Sequence, residues 1–197
     1  MRPYHASMAR LASINRSPGG IPKLSVPESP VRPGGLAEDG HDHEKHRVAE
    51  QAVSLLDLEL LRSIEREFGH AIGPGGLGEN LTVEGVGVQR LGSGDRLLIG
   101  QDEPVVLEIT RVRPPCYVLD AIDPRFKRVL WNRIGMYASV LRAGIVRTGD
   151  PVRIETRTGV ARPLLRTPKG GCEDGREIAR RVLDRCELLP MSEASTS

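Results

Sequence analysis

In "PVVLEITRV" apolar side chains fall on alternate positions, so Val105, Leu107 and Ile109 share one side, the period-two pattern of a half-buried strand. "GDRLLIG" precedes it across "QDE", and the two runs predict a hairpin. "AVSLL" reads as a buried strand. Leu11 to Asn15 reads as another, followed by a Ser-Pro-Gly-Gly turn and a segment carrying Lys23. The period changes after Asp57: Leu61, Ile64 and Phe68 recur at helical spacing, Asp57 stands where an N-cap belongs, and Gly69 stops the run. "GMYASVLRAGIV" predicts strand, glycine turn, strand, although a short helix over Tyr137 to Leu141 fits as well. "TGDPVRIE" echoes "SGDRLLI", which suggests that one kind of strand entry is used twice.

These elements describe a mainly β, β-rich α+β body over residues 11–157. From Thr158 the pattern changes to a basic, Pro/Gly-containing linker. Then follow a helix with Ile178, Val182 and Cys186 on one face and a tail, "SEASTS", expected to be disordered. Composition supports short segments joined by turns, since the 197 residues include 22 glycines and 15 prolines with only 3% aromatics. The formal charge of +2 rests on 28 basic and 26 acidic residues, which argues against nucleic-acid binding and makes any electropositive site local. No run approaches the about 18 apolar residues that span a bilayer, and the N-terminal stretch lacks a signal peptide's apolar core. The expectation is a cytoplasmic protein without membrane contact.

Local chemistry concentrates in "ITRVRPPCYVLD". A strand must stop at Pro114-Pro115, which cannot donate to a ladder, and Cys116 emerges directly after that stop. Between Arg111 and Arg133 lie six basic residues against two acidic ones, a field in which a thiol tends toward the thiolate that attacks electrophiles and ligates soft metals. The plainer alternative is a small buried hydrophobe. Arg111 and Arg113, two apart, would share a strand face and form a fork for a phosphate or carboxylate, or simply a solvated face. In "GPGGLGENLTVEG" the glycines permit positive φ and close approach, and Glu79, Asn80 and Thr82 offer polar groups. The stretch fits neither a P-loop nor a dinucleotide fingerprint, and a turn between helix and strand remains open as its meaning. "GHDHEKH" sets His41, His43 and His46 among acids, either a weak metal site or an exposed charged loop. Cys172 and Cys186 read as structural or incidental.

Taken in order, "INRSPGGIPKLSV", "GPGGLGENLTVEGV", "GDRLLIG", "LEITRVRPPC" and "GMYASVLRAGIVRTGDPV" resemble the MOSC domain family, named after the C-terminal domain of molybdenum cofactor sulfurase, in its stand-alone bacterial form. The resemblance covers residues 11–157 and implies a β-barrel with Cys116 as the central functional residue. It implies a role for that cysteine in ligating molybdenum or carrying a persulfide sulfur. It gives Arg111 and Arg113 the phosphate of a pterin cofactor, with Lys23 and Arg16 as lesser candidates for the same anion. It gives Asn80 and Thr82, beside Glu79, the pterin or oxo ligands, which places both side chains toward the thiol.

Relatives usually carry His-Gly-Gly after an upstream Gly-Asp. Here "EDGHDHEKHRVAEQ" has no Gly-Gly after any histidine, so His43 or His46 fills that role differently or part of the function is lost. The chain has no room for the sulfurase's pyridoxal-phosphate domain, so pyridoxal phosphate is not expected. Three functions follow. The first is a molybdenum-cofactor enzyme reducing N-hydroxylated small molecules, which needs an external redox partner because no flavin motif or iron–sulfur cysteine set is present. The second is a persulfide carrier served by a sulfur-donor protein, and the third a non-catalytic binding module.

Overall fold

The computed structural model describes residues 9–40 and 48–156. Its strands are β1 (Arg10–Arg16), β2 (Leu24–Val26), β3 (Glu28–Arg32), β4 (Gly35–Leu36), β5 (Val53–Asp57), β6 (Leu81–Glu84), β7 (Arg96–Ile99), β8 (Val105–Val112), β9 (Met136–Arg142), β10 (Gly144–Arg147) and β11 (Val152–Glu155). Among the described residues two helices, α1 (Leu58–Phe68) and α2 (Phe126–Val129), and three 3₁₀ turns complete them.

The alternating run forms β8, where Val105, Leu107 and Ile109 are wholly buried, and its hairpin with β7 sets Leu97 against Leu107 and Ile99 against Val105. The segment open to two readings is a strand, β9, which pairs with β8 on one side and β5 on the other. The echo has a physical basis. β7 and β11 are antiparallel neighbours, and each is entered by an aspartate that accepts the amide hydrogen three residues back. Gly92 N donates to Asp95 Oδ2 and Arg147 N to Asp150 Oδ2, both at 2.7 Å.

The fold is mainly β, but the expected closed barrel is not formed. One eight-stranded sheet runs β11-β7-β8-β9-β5-β6-β1-β2, and β10-β3-β4 make a second. Closure fails because β1 divides one edge between two claimants. Residues 14–16 pair with β2, which leaves only residues 9–11 for the approach to β11. There Leu11 N donates to Asp150 O and Val152 N to Ala9 O, both at 2.8 Å, beside a single isolated bridge between Arg10 and Pro151. The expected C-terminal linker, helix and tail lie outside the described residues.

Two apolar cores flank the large sheet's central strands. One gathers Leu11, Ile14, Leu55, Leu81, Leu97, Leu107 and Ile109. The other packs Leu61 and Ile64 of α1 against Leu77, Leu119, Phe126, Leu130 and Ile134. Residues 117–134 have no strand ladder, so burial holds them: Leu119, Phe126, Leu130 and Ile134 are each 1% exposed or less. Burial of each contributes roughly 1.5–3 kcal/mol. Phe68 adds an edge-to-face contact with Phe126 at 5.1 Å between centroids, and Gly69 ends α1 at φ +72°.

Asp57 occupies the N-cap position of α1 but makes no side-chain capping bond. Its Oδ1 instead accepts from Gly87 N at 2.9 Å, tying β5 to the 3₁₀ turn Val88–Arg90. Burial pushes its carboxyl up to about 6, and those backbone donors only partly offset the effect. A carboxyl raised in the fold binds its proton more tightly than in the unfolded chain. It therefore stabilises fully below the ordinary aspartate range and loses that contribution as pH rises through about 6. The shift is worth about 3 kcal/mol. Denaturation midpoints measured across that range should show the wild type losing about this much relative to Asp57→Asn. Parallel pH curves would contradict the assignment.

Candidate functional site

Arg111 and Arg113 do not form the expected fork. A register shift between Ile109 and Arg111 disturbs β8 against β9, and the strand ends at Val112, so the two arginines part. Arg111 is exposed, with its guanidinium 5.6 Å from the centroid of the Tyr137 ring. Arg113 is 9% exposed and turns inward. Its Nη2 donates to Leu77 O at 2.6 Å, its Nη1 to Ile134 O at 3.5 Å, and its backbone N to Gly135 O at 3.0 Å. Pro114-Pro115 follow, and Cys116 stands half-buried at the cap position of the 3₁₀ turn Tyr117–Ala121.

The glycine-rich stretch is folded around this arginine. Gly76 N donates to Gly73 O and Gly78 N to Gly75 O, each at 3.0 Å, so the loop is two successive tight turns. A Cβ on Gly75, at φ +82°, would lie 2.3 Å from Lys23 O. One on Gly78, at φ +83°, would lie 2.8 Å from Ile21 Cγ2 and 3.0 Å from Arg113 Nη2. The bare backbone therefore brings the β1–β2 connection and Arg113 close.

Beneath the loop lies a buried polar network. Glu79 is wholly buried, and its Oε1 accepts from Gly75 N at 2.7 Å and from Thr82 Oγ1 at 2.9 Å. Thr82 also accepts from Asn15 Nδ2 at 3.0 Å, and Asn15 Oδ1 accepts from the Ser13 and Ser25 hydroxyls. Asn80 Oδ1 accepts from Ser54 N at 3.1 Å and Ser54 Oγ at 2.9 Å, while its Nδ2 donates to Asp39 Oδ2 at 2.7 Å. Asn80 and Thr82, expected to serve a ligand beside the thiol, thus make their hydrogen bonds within the protein. The demands of burial explain this, because each polar atom withdrawn from water needs a partner.

Lys23 donates to both oxygens of Asp39 at 2.5 Å, with side chains 11% and 1% exposed. Burial is the largest influence on the Lys23 ammonium and lowers its pKa, aided by the positive charge of Arg113 and opposed by Asp39 and Glu79. Burial likewise pushes the Glu79 carboxyl up, against the pull of its backbone donors and Arg113. Arg16 is half-buried, its Nη1 3.0 Å from the exposed Glu38 carboxylate and donating to Ala37 O at 3.4 Å.

Asp39, Asn15 and Ser54 were not legible as site residues, because Asp39 sits in a stretch that reads as a polar loop. Its neighbour Gly40 donates to Ser17 O at 2.6 Å, which brings the loop back onto β1. A second cluster also lacked a signal: His70 Nε2 lies 2.9 Å from Asp123 Oδ2, and Arg125 Nη2 donates to the same oxygen at 2.6 Å. These hydrogen bonds, Arg125 first, hold the Asp123 carboxyl well below its usual range. His43 and His46 lie outside the described residues. Among the described residues no three His, Cys, Asp or Glu side chains gather where they could hold a metal ion.

The MOSC domain family model matches residues 42–153, more than half of the chain. No curated protein matches it. Among solved structures the chain is similar to the YuaD protein from Bacillus subtilis, at 19% identity and TM-score 0.65 over 77% of this chain and 97% of that one. It is similar to YiiM from Geobacillus stearothermophilus at 22% identity and TM-score 0.62, over 77% of each chain. It is also similar to YiiM from Escherichia coli at 19% identity and TM-score 0.60, over 89% of this chain and 94% of that one. At these identities the likeness establishes the shared fold.

Burial decides which ion pair matters for stability. Lys23→Met leaves the Asp39 carboxylate buried without its cation and should cost about 3–5 kcal/mol. Arg10→Met removes a pair to Glu84 whose arginine side chain is 53% exposed and should cost about 1 kcal/mol or less. Denaturant unfolding of the two variants checks the ranking, and equal losses would contradict it.

Proposed function

The chain belongs to the MOSC domain family, and on that premise we propose that it binds the molybdenum cofactor through the Cys116 thiolate and reduces N-hydroxylated small molecules. The family is associated in general with this cofactor. The observation that carries the reading is the placement of Cys116: a free, half-buried thiol immediately after the peptide that Arg113 anchors.

The residues present fit such a group in part. Cys116 supplies a thiolate donor at a site that remains accessible. Arg111 is exposed and has no carboxylate partner among the described residues, so it is free to take the cofactor's phosphate. Arg16 Nη1 donates to Ala37 O at 3.4 Å and pairs with the Glu38 carboxylate, which is open to water and can be exchanged. Arg113 and Lys23 give the buried wall its positive charge. Asn80, Thr82 and Glu79 support that wall through bonds within the protein. When bound, the cofactor supplies a metal that passes two electrons from an external donor to an N–O bond, which with two protons leaves an N–H compound and water. The chain's own tasks are to hold the metal at Sγ of Cys116 and to keep the anionic end of the cofactor against arginine.

Metal and pterin analysis of freshly isolated protein from a cofactor-competent host tests this. The expected result is molybdenum and pterin in equal amounts, with molybdenum lost in Cys116→Ser while the fold persists. Wild-type protein carrying neither would overturn it. One added sulfur on Cys116 after incubation with a sulfur donor, without molybdenum, would favour the persulfide carrier instead.

A further inference from the structure

Glu79 is built asymmetrically. Its Oε1 receives two hydrogen bonds, while Oε2 is buried with no hydrogen-bond partner among the described residues. An orphaned carboxylate oxygen is costly, and a proton on it removes most of that cost. The charged groups that bear on Glu79 and Lys23 come from three segments: Lys23 after the first glycine turn, Asp39 in the loop beyond β4, and Arg113 at the end of β8. Lys23 is matched by Asp39. Among the described residues Arg113 has backbone carbonyls as its side-chain hydrogen-bond acceptors and no ion pair, so Glu79, whose carboxyl feels its charge, is the acid left to balance it. With Glu79 ionised, these two cations and two anions sum to zero. With Glu79 protonated, one positive charge stands uncompensated beside the peptide leading to Cys116.

We infer that this wall is an oxyanion site whose occupancy is coupled to a proton on Glu79: an anion entering beside Arg113 and Lys23 replaces the Glu79 charge, and the Oε2 atom takes up one proton from solvent. Arg113 and Lys23 are buried but not fully sealed from solvent, at 9% exposure for the residue and 11% for the side chain. The inference rests on reading these buried residues as the anion-facing wall of the cofactor site. It adds that Glu79, through its charge, sets how tightly that wall binds as pH changes. Below the Glu79 titration the site is already charged and binds without proton uptake. Above it, each anion bound must bring one proton, so affinity falls by up to about tenfold per pH unit.

Sulfate is the probe, because its charge is constant between about pH 5 and pH 9, the range over which the carboxyl is examined. Calorimetry on the full-length chain from a host that makes no molybdenum cofactor, in buffers of differing ionisation enthalpy, reads proton uptake directly. The expected result is up to one proton per sulfate at the alkaline end and none at the acid end. Glu79→Gln should bind sulfate without proton uptake and with no pH slope. Its affinity at high pH should match that of wild type at low pH. Wild type that binds sulfate with no proton uptake at any pH, or that binds no sulfate, overturns the inference without help from the variant. The same pH slope in Glu79→Gln also overturns it. Because cofactor is absent throughout, these failures are separate from a failure to find molybdenum in protein from a competent host.

Discussion

A guanidinium withdrawn from water must find acceptors, and the way Arg113 finds them organises this molecule's site. Its donors reach the carbonyl oxygens of Leu77, in the glycine-rich loop, and of Ile134, at the edge of the second core. Those carbonyls belong to segments far apart in sequence, so a single side chain ties the loop, the end of β8 and the approach to β9 together. The peptide leaving that junction is Pro114-Pro115-Cys116, which has little freedom of its own. Cys116 is therefore placed by a hydrogen-bonded arginine on one side and, on the other, by the bond that its carbonyl accepts from Leu119 N at 3.1 Å.

The same constraint explains the glycines. A side chain at Gly78 would press on Arg113, and one at Gly75 would meet the carbonyl of Lys23. Glu79 then locks the loop by accepting from Gly75 N while Thr82 and Asn15 continue the chain of bonds into the sheet. Buried networks of this kind are costly when incomplete, and here the incomplete member is Glu79 Oε2. Among the described residues, the one buried side-chain atom left unsatisfied thus belongs to the acid on which the charge of Arg113 acts.

Much of the frame was legible because local pattern decides it. The period-two burial of β8, the helical face of α1 and the two Gly-Asp strand entries each follow from residues within ten positions of one another. What depends on pairing between distant segments was not. Nothing in the order of residues says that β1 shares its edge between β2 and residues 149–152, which keeps the sheet from closing. The separation of Arg111 from Arg113 arises from a register shift opposite β9, and strand periodicity alone predicts the reverse. Asp39 illustrates the limit in the site itself. It reads as one acid in a polar stretch, and only the fold brings it to Lys23 and Asn80.

If Arg113, held by the glycine loop, is what places Cys116, then crowding that arginine must be felt at the thiol. The direct measurement is the alkylation rate of Cys116, followed by peptide mass, in Gly78→Ala and Gly73→Ala. Both positions have positive φ, +83° and +70°, so both substitutions strain the backbone, but only the first puts a methyl group against Arg113. A severalfold change in rate at Gly78→Ala with Gly73→Ala unchanged is the predicted result. Equal rates in the two variants would contradict the account.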